Sequence, residues 1–202
     1  MDAAPAIACF RGAGIARHLD DVARLRIAVF RDWPYLYDGD LSYERDYLAA
    51  YAASPDSVFV LAFDGDEVVG ASTGLPLADD TPAFQTPFVA RGIPVAEVFY
   101  CGESVLLPAY RGRGIGNAFF DQREAHARSL GRFRWTAFCA VDRAAGDPRR
   151  PTHHRDNETF WVRRGYAKQP GMAMHLDWKE IGVGDVEHSL TFSLRPLEQE
   201  AG

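Results

Sequence analysis

The chain has 202 residues, 47% of them hydrophobic, with 22 basic and 28 acidic side chains and a net charge of -6. That size and composition allow one domain over residues 1–202 with a sizeable core, and an acidic balance argues against nonspecific nucleic-acid binding, which draws on clustered Lys and Arg. Cys9, Cys101 and Cys139 lack CxxC spacing, so neither a disulfide framework nor a zinc site is expected. With no apolar run near the roughly 18 residues of a membrane span and no basic leader region, the chain is expected to be soluble, unprocessed and cytoplasmic, with no membrane partner.

Ile7 to Arg11 reads as a first strand, followed by a helix from about Ala16 to Phe30 on which Leu19, Val22, Ala23, Ile27 and Phe30 recur at helical spacing. Trp33-Pro34 marks its stop. The aromatic loop from Trp33 to Asp40 reads as a substrate rim, with Tyr35 and Tyr37 as candidate contacts and Asp38 and Asp40 hinting at a cationic acceptor. A second helix near Ser42 to Ala52 carries Tyr43, Tyr47 and Tyr51 on one face, a stripe read as packing. Val58 to Phe63 and Glu67 to Leu75 form a hairpin over Asp64-Gly65-Asp66. That turn lacks the further carboxylates of a calcium loop, Asp38-Gly39-Asp40 stands without other nucleotide-sugar features, and no metal site is expected.

Between Leu75 and Val98 lies a long connection with four prolines, and Thr86-Pro87 ahead of Gly92 predicts one helical turn within it. The segment reads either as an ordered lid near the substrate or as a surface insertion. Val98 to Leu107 then forms a strand that runs through Pro108-Ala109-Tyr110-Arg111-Gly112-Arg113-Gly114-Ile115-Gly116 into a helix ending near Leu130, with Gly131 as its C-cap. Glycines at positions 112, 114 and 116 let backbone amides converge beside a helix N-terminus, which makes an anion cradle fit for a pyrophosphate. Asn117-Ala118 stands where a P-loop needs Lys and Ser or Thr, and Asn117 where the dinucleotide fingerprint needs its third Gly. His126 reads as a helix-face residue. A strand from Phe133 to Val141, a Pro- and Arg-rich loop, a short helix from Asn157 to Arg164 and strands at Met172 to Trp178 and His188 to Arg195 complete the chain.

What remains of the glycine turn is RxxGxG, read as Arg111, Gly114 and Gly116 and preceded by a strand, a Pro and a Tyr. It resembles the coenzyme A loop of the GNAT N-acetyltransferase superfamily. Asn157, the pair Phe160-Trp161 before Gly165, and Tyr166 after it resemble a second motif of that superfamily, and the element order from Ile7 to Leu197 is similar throughout. The segments PYLYDGD, GESVLLP and FW..RGY look similar to those of a bacterial group within it.

The resemblance implies an α/β (α+β) GNAT fold, a mixed, mostly antiparallel central sheet of about six to seven strands flanked by about four helices. It implies acetyl-CoA as cosubstrate and no metal, with the coenzyme held by Val105, Leu106, Arg111, Gly112, Arg113, Gly114, Ile115, Gly116, Phe160 and Trp161. The implied reaction moves acetyl to a small-molecule or peptide amine by direct attack in a ternary complex. A lysine-like amine of pKa about 10.4 is only about 0.04% neutral at pH 7, so a general base is useful. Glu103 matches the position of that base, and strand alternation would place it among Phe99, Cys101, Val105 and Leu107, where desolvation raises its pKa. The Leu106 amide matches the group that polarises the thioester carbonyl. Relatives place a Tyr acid where this chain has Trp161, an indole too weak to give up a proton; Tyr166, Tyr100 or water stay open as substitutes. A catalytically inactive coenzyme A binding module, acting as sensor or structural partner, is the alternative, and nucleotide binding through the glycine turn alone is a third. A homodimer is compatible with the sequence.

Overall fold

Strand patterns decide the core of this fold: β2 (Val58–Asp64) is buried from Val58 through Ala62 and β3 (Glu67–Pro76) from Val69 onward, as expected of central strands covered on both faces. The computed structural model of the chain describes residues 5–198. Around those strands run β1 (Ala6–Arg11), α1 (Leu19–Phe30) and α2 (Leu41–Ala53), then α3 (Pro82–Ala90), β4 (Val98–Tyr100), β5 (Ser104–Leu106) and α4 (Ile115–Ser129). β6 (Trp135–Val141), α5 (Glu158–Arg163), β7 (Ala167–Glu180) and β8 (Gly184–Pro196) follow. The sheet order is β1-β2-β3-β4-β6-β8-β7, with β5 on β3, and every pairing is antiparallel except β4 with β6. This is the expected mixed, mostly antiparallel α/β sheet, with eight strands and five α-helices among the described residues instead of six to seven and about four.

Helices cover both faces. On one, Val22 and Leu25 of α1, Leu48 and Tyr51 of α2 and Phe84 and Phe88 of α3 bury against the sheet; on the other, Ile115, Phe119 and Phe120 of α4 do so, with Phe160 and Trp161 of α5 half-buried beside them. No helix among the described residues is long and apolar enough to cross a membrane.

Three segments depart from the sequence reading. Residues 12–18 form a 3-10 turn, so the regular helix starts at Leu19 and not near Ala16; Gly12, at φ +48°, and Gly14 weaken helix continuity there. The connection after Leu75 is largely ordered as α3, which begins at Pro82 and holds Pro87 inside it instead of starting there. Phe84 and Phe88, one turn apart, pack on Tyr100 and edge-on to Phe192 at centroid distances of 5.1 and 5.0 Å, burial that offsets the hydrogen bond Pro87 cannot make.

The third departure is the predicted strand from Val98 to Leu107, which is broken. β4 lies along β6 up to the bond from the Cys101 amide to the Ala137 carbonyl (2.7 Å), whereas β5 pairs only with β3, Val105 opposite Ala71. Cys101, Gly102 and Glu103 make the crossing, and alternation does not survive it. Phe99 and Cys101 face α4, while Val105 faces α1 and α2. The expected apolar setting of Glu103 is therefore corrected: of the four residues named by alternation, Val105 lies in the core beneath α1 and α2, and Phe99 and Cys101 lie across the sheet. A Cβ at Gly102 would stand 2.0 Å from the Tyr51 hydroxyl, so the crossing needs glycine there.

If α3 is a core element, Phe88→Ala should cost about 3–5 kcal/mol of stability, read as a lower urea midpoint at unchanged m-value. A cost within about 0.5 kcal/mol would make α3 a surface ornament.

Candidate active site

Charges on the buried faces of two helices meet at the strand break. Arg26 lies on the Val22–Arg26–Phe30 line of α1, and Glu44 on the Glu44–Leu48–Tyr51 line of α2; both side chains point inward where apolar residues would be expected. Arg26 donates from Nε to Glu44 and from Nη1 to Glu103, and its guanidinium lies 4.4 Å from the Tyr47 ring centroid and 5.0 Å from that of Phe30. Glu103 is 6% exposed and Glu44 fully buried. Glu103 Oε2 also takes a long bond from the Tyr47 hydroxyl (3.5 Å), but Oε1 of each carboxylate has no hydrogen-bond donor among the described residues.

Burial pushes the Glu103 carboxyl above the usual carboxylate range; Arg26 pulls it back, and the Glu44 charge on the same guanidinium raises it again. Burial also works against the Arg26 charge, but the two carboxylates carry its pKa upward and it stays cationic. Asp80, ahead of α3, is pushed up to about 6 by burial, against the Thr81 amide and with the Glu103 charge adding to the rise.

The main chain of Glu103 is braced from three sides. Its carbonyl accepts from the Thr73 amide (3.0 Å), from Ser72 Oγ (3.1 Å) and from Nη1 of the buried Arg123 on α4 (3.1 Å). A carbonyl so held fixes where the carboxylate hangs.

Above this trio opens a cavity of about 110 Å³ with eight aromatic side chains in its wall. Tyr35 and Tyr37, read from the sequence as the substrate rim, are among them, together with Tyr47, Phe84, Tyr100 and Trp178. The rim loop is tied down by Arg143, which donates to the carbonyls of Pro34 (2.7 Å) and Tyr35 (3.0 Å) and to Glu180 (3.0 Å), and by Trp178 Nε1 on the Tyr35 carbonyl (3.0 Å). The cation hint from Asp38 and Asp40 is corrected: Asp38 pairs with Lys179 at 2.7 Å, and Asp40 caps α2 through the Ser42 and Tyr43 amides. The buried acids Glu44 and Glu103 take that place. Tyr43, Tyr47 and Tyr51 divide as well, since Tyr51 is core whereas Tyr43 and Tyr47 face the cavity.

On the far side of the break lies the glycine turn. Gly112 and Gly114 have φ of +77° and +83°, values that favour glycine, and Gly114 is the N-cap of α4. Among the described residues no backbone carbonyl accepts from the amides of residues 112–116, so the turn offers unspent donors at a helix N-terminus, the chemistry a pyrophosphate needs. Arg111, Gly112, Arg113 and Gly114 are exposed, Ile115 is buried as the first helical anchor, and the Phe160 ring stands 3.7 Å from where a Gly116 Cβ would be. Arg111 donates from Nε to the Leu106 carbonyl (3.2 Å). Bonds from Thr73 N to Glu103 O and from Leu107 N to Val69 O turn residues 103, 105 and 107 toward β3, so the Leu106 amide faces the gap left by β6.

Some sequence candidates are spent elsewhere. Tyr166 is 2% exposed and gives its hydroxyl to the Thr136–Glu124 pair at 2.9 and 3.2 Å, and Trp161 leans on Phe138 at 4.9 Å. His126 is buried, with Nε2 2.8 Å from the Asp56 carbonyl. Arg26 and Glu44 were missed. The signal was present: each is a charge on an otherwise apolar helical line.

The sequence matches the family model described as acetyltransferase (GNAT) family over residues 22–145, more than half of the chain. The chain belongs to the GNAT acetyltransferase family. Its fold is similar to that of a proposed acetyltransferase from Acinetobacter baylyi, at TM-score 0.62 and 10% identity, covering 99% of this chain and 97% of that one. It is similar as well to an N-acetyltransferase from Staphylococcus aureus (TM-score 0.59, 12% identity, 97% and 100% covered). A proposed acetyltransferase from Salmonella typhimurium, solved with its cofactor acetyl-CoA, matches at TM-score 0.56 and 11% identity over 98% of this chain and 97% of that one. A search of curated protein sequences gave no match.

In this GNAT chain Arg26→Met leaves two buried carboxylates without a counter-ion and should cost about 3–5 kcal/mol near neutral pH. Without Arg26 the already raised Glu103 carboxyl would titrate still higher folded than unfolded, so the penalty shrinks as pH falls and it protonates. Urea unfolding of both proteins at two pH values checks this; a cost independent of pH would mean that packing, not charge, holds the site together.

Proposed function

We propose that this acetyltransferase is an N-acetyltransferase that moves an acetyl group from acetyl-CoA to an amine by direct attack in a ternary complex, with Glu103 as general base. The observation that carries the reading is a buried carboxylate, with one oxygen free of donors, in the wall of a cavity beside a strand whose outward amide and glycine turn supply unspent donors. Bound acetyl-CoA would supply an activated acetyl thioester.

The chain's own residues divide the remaining work. Amides of residues 112–116 suit the pyrophosphate, with Arg111 and Arg113 adding charge, while Leu106 and Phe160 suit the apolar arm; Val105, fully buried on the other face of the sheet, and Trp161, packed on Phe138, are corrected as coenzyme contacts. The outward Leu106 amide is placed to donate to a carbonyl oxygen as charge develops on it. Glu103 Oε1 takes the proton from the acceptor ammonium, and a raised carboxyl pKa narrows the gap between base and amine. Tyr35 and Tyr37 give the acceptor its wall. Of the proton donors weighed, Tyr100 remains on the cavity side, its hydroxyl 3.1 Å from Cys139 Sγ.

Acetyl-CoA-dependent thiol release is the direct assay. Glu103→Gln should lower kcat by about 10²- to 10⁴-fold with acetyl-CoA affinity unchanged; equal turnover would remove Glu103 as the base. Retained acetyl-CoA binding without thiol release for any amine would instead support an inactive binding module. Coenzyme A at about 100 times its Kd should add about 2.7 kcal/mol of stability, and ATP should add none; the reverse pattern would overturn the coenzyme assignment.

The base works deprotonated, so kcat/KM should fall as pH drops through the Glu103 pKa, above the ordinary carboxylate range. Asp80→Asn should keep this acid limb and Glu103→Gln should abolish it. A limb lost with Asp80 would transfer the role to that residue.

A further inference from the structure

Resting on the acetyl-transfer reading above, we infer that the acceptor is a compact monoamine with an apolar or aromatic body and no acid group. Charge comes first. Glu44, Glu103 and Arg26 carry a net charge of -1 below the cavity, and Asp177, the other Asp, Glu, Lys or Arg in the wall among the described residues, is also acidic. The two donor-free oxygens, Glu103 Oε1 and Glu44 Oε1, are buried polar atoms that an incoming ammonium would satisfy. Such an ammonium would also lie among the aromatic side chains of the wall, and a cation is attracted to an aromatic ring.

The same wall selects against other amines. An α-amino acid brings a carboxylate, and Arg26, the cation lining the cavity among the described residues, is committed to two carboxylates and covered by Phe30 and Tyr47. Arg143 and Lys179 nearby are spent on the Tyr35 carbonyl with Glu180 and on Asp38. A substrate carboxylate would enter a net-negative, desolvated space without a partner. Hydroxyl-rich aminosugars are larger than this space, and the Tyr47 and Tyr100 hydroxyls of its wall are already engaged, with Tyr51 at 3.2 Å and Cys139 at 3.1 Å. A cavity of about 110 Å³ admits a ring or a branched alkyl group, not an oligosaccharide or a long peptide.

The test compares 2-phenylethylamine with L-phenylalanine, which differ only in the carboxylate, alongside spermidine and kanamycin, by thiol release from acetyl-CoA. The amine should exceed the amino acid in kcat/KM by at least about 100-fold and should exceed the other two as well. Turnover of phenylalanine, spermidine or kanamycin at an equal or greater kcat/KM would overturn the substrate class and leave acetyl transfer standing.

Binding of trimethyl(2-phenylethyl)ammonium, which cannot be acetylated, is measured in parallel by calorimetry on the wild type and on Trp178→Leu, with thermal unfolding as the check that the variant folds. Binding weakened at least about 10-fold in a folded Trp178→Leu supports the aromatic cation cavity, and if no amine is turned over it does so while the transfer reading fails. No binding to the wild type overturns the inference whatever the turnover. Should Trp178→Leu not fold, Glu44→Gln carries the same comparison, and unchanged affinity in the folded variant overturns the inference.

Discussion

At Cys101 the chain lets go of β6, and by Ser104 it is held by β3 alone. Nearly every feature of the site follows from that loss of pairing. A strand paired on both sides would have no spare amides and no room beside it; one paired on a single side exposes its outer donors, of which the Leu106 amide is the central one. Because the crossing does not preserve alternation, Glu103 is delivered to the face covered by α1 and α2, toward Arg26, and away from the aromatic layer beneath α4. One break thus separates the two halves of the site: a donor-rich turn on one side of the sheet and an acidic cavity on the other.

Buried charge is expensive unless paired, and here three ionisable groups share one small volume. The guanidinium gives one bond to each carboxylate, from Nε to Glu44 and from Nη1 to Glu103, and Oε1 of each is left with no donor among the described residues. In a purely structural ion pair such oxygens would be a defect. In a cavity wall lined by aromatic side chains they are the basis of the proposed preference for a cationic acceptor. The pairing also explains why a carboxylate beside an arginine keeps a raised pKa: desolvation and the second carboxylate together outweigh the attraction of Arg26.

The aromatic rim is held by β7 and by Arg143, just beyond β6. Arg143 and Trp178 clamp the carbonyls of Pro34 and Tyr35, and the Asp38 amide bonds the Lys179 carbonyl at 2.8 Å, so a loop without regular structure is fixed along one edge of the sheet. Packing of Phe84 and Phe88 sets the opposite wall in the same way. A pocket on clamped loops varies with the loops while the sheet stays as it is.

Local chemistry was readable without coordinates. The turn at Arg111 to Gly116 declares itself because positive φ favours glycine and a helix N-terminus leaves amide donors unspent, both properties of neighbouring residues. Element order and the alternating strands followed from periodicity. Helix α3 did not, since two prolines mask a helix that is stabilised by Phe84 and Phe88 reaching the core. Glu103 was legible as a candidate base, but its partners were not: Glu44 and Glu103 stand 18 and 77 residues from Arg26, and no spacing rule links charges on two helices to one at a strand break. The sequence by itself determined most of the secondary elements and the glycine turn with its free amides, which depend on local backbone preferences. Only the tertiary structure decided where the strand lets go and which charges become neighbours, because pairing and burial join residues distant along the chain.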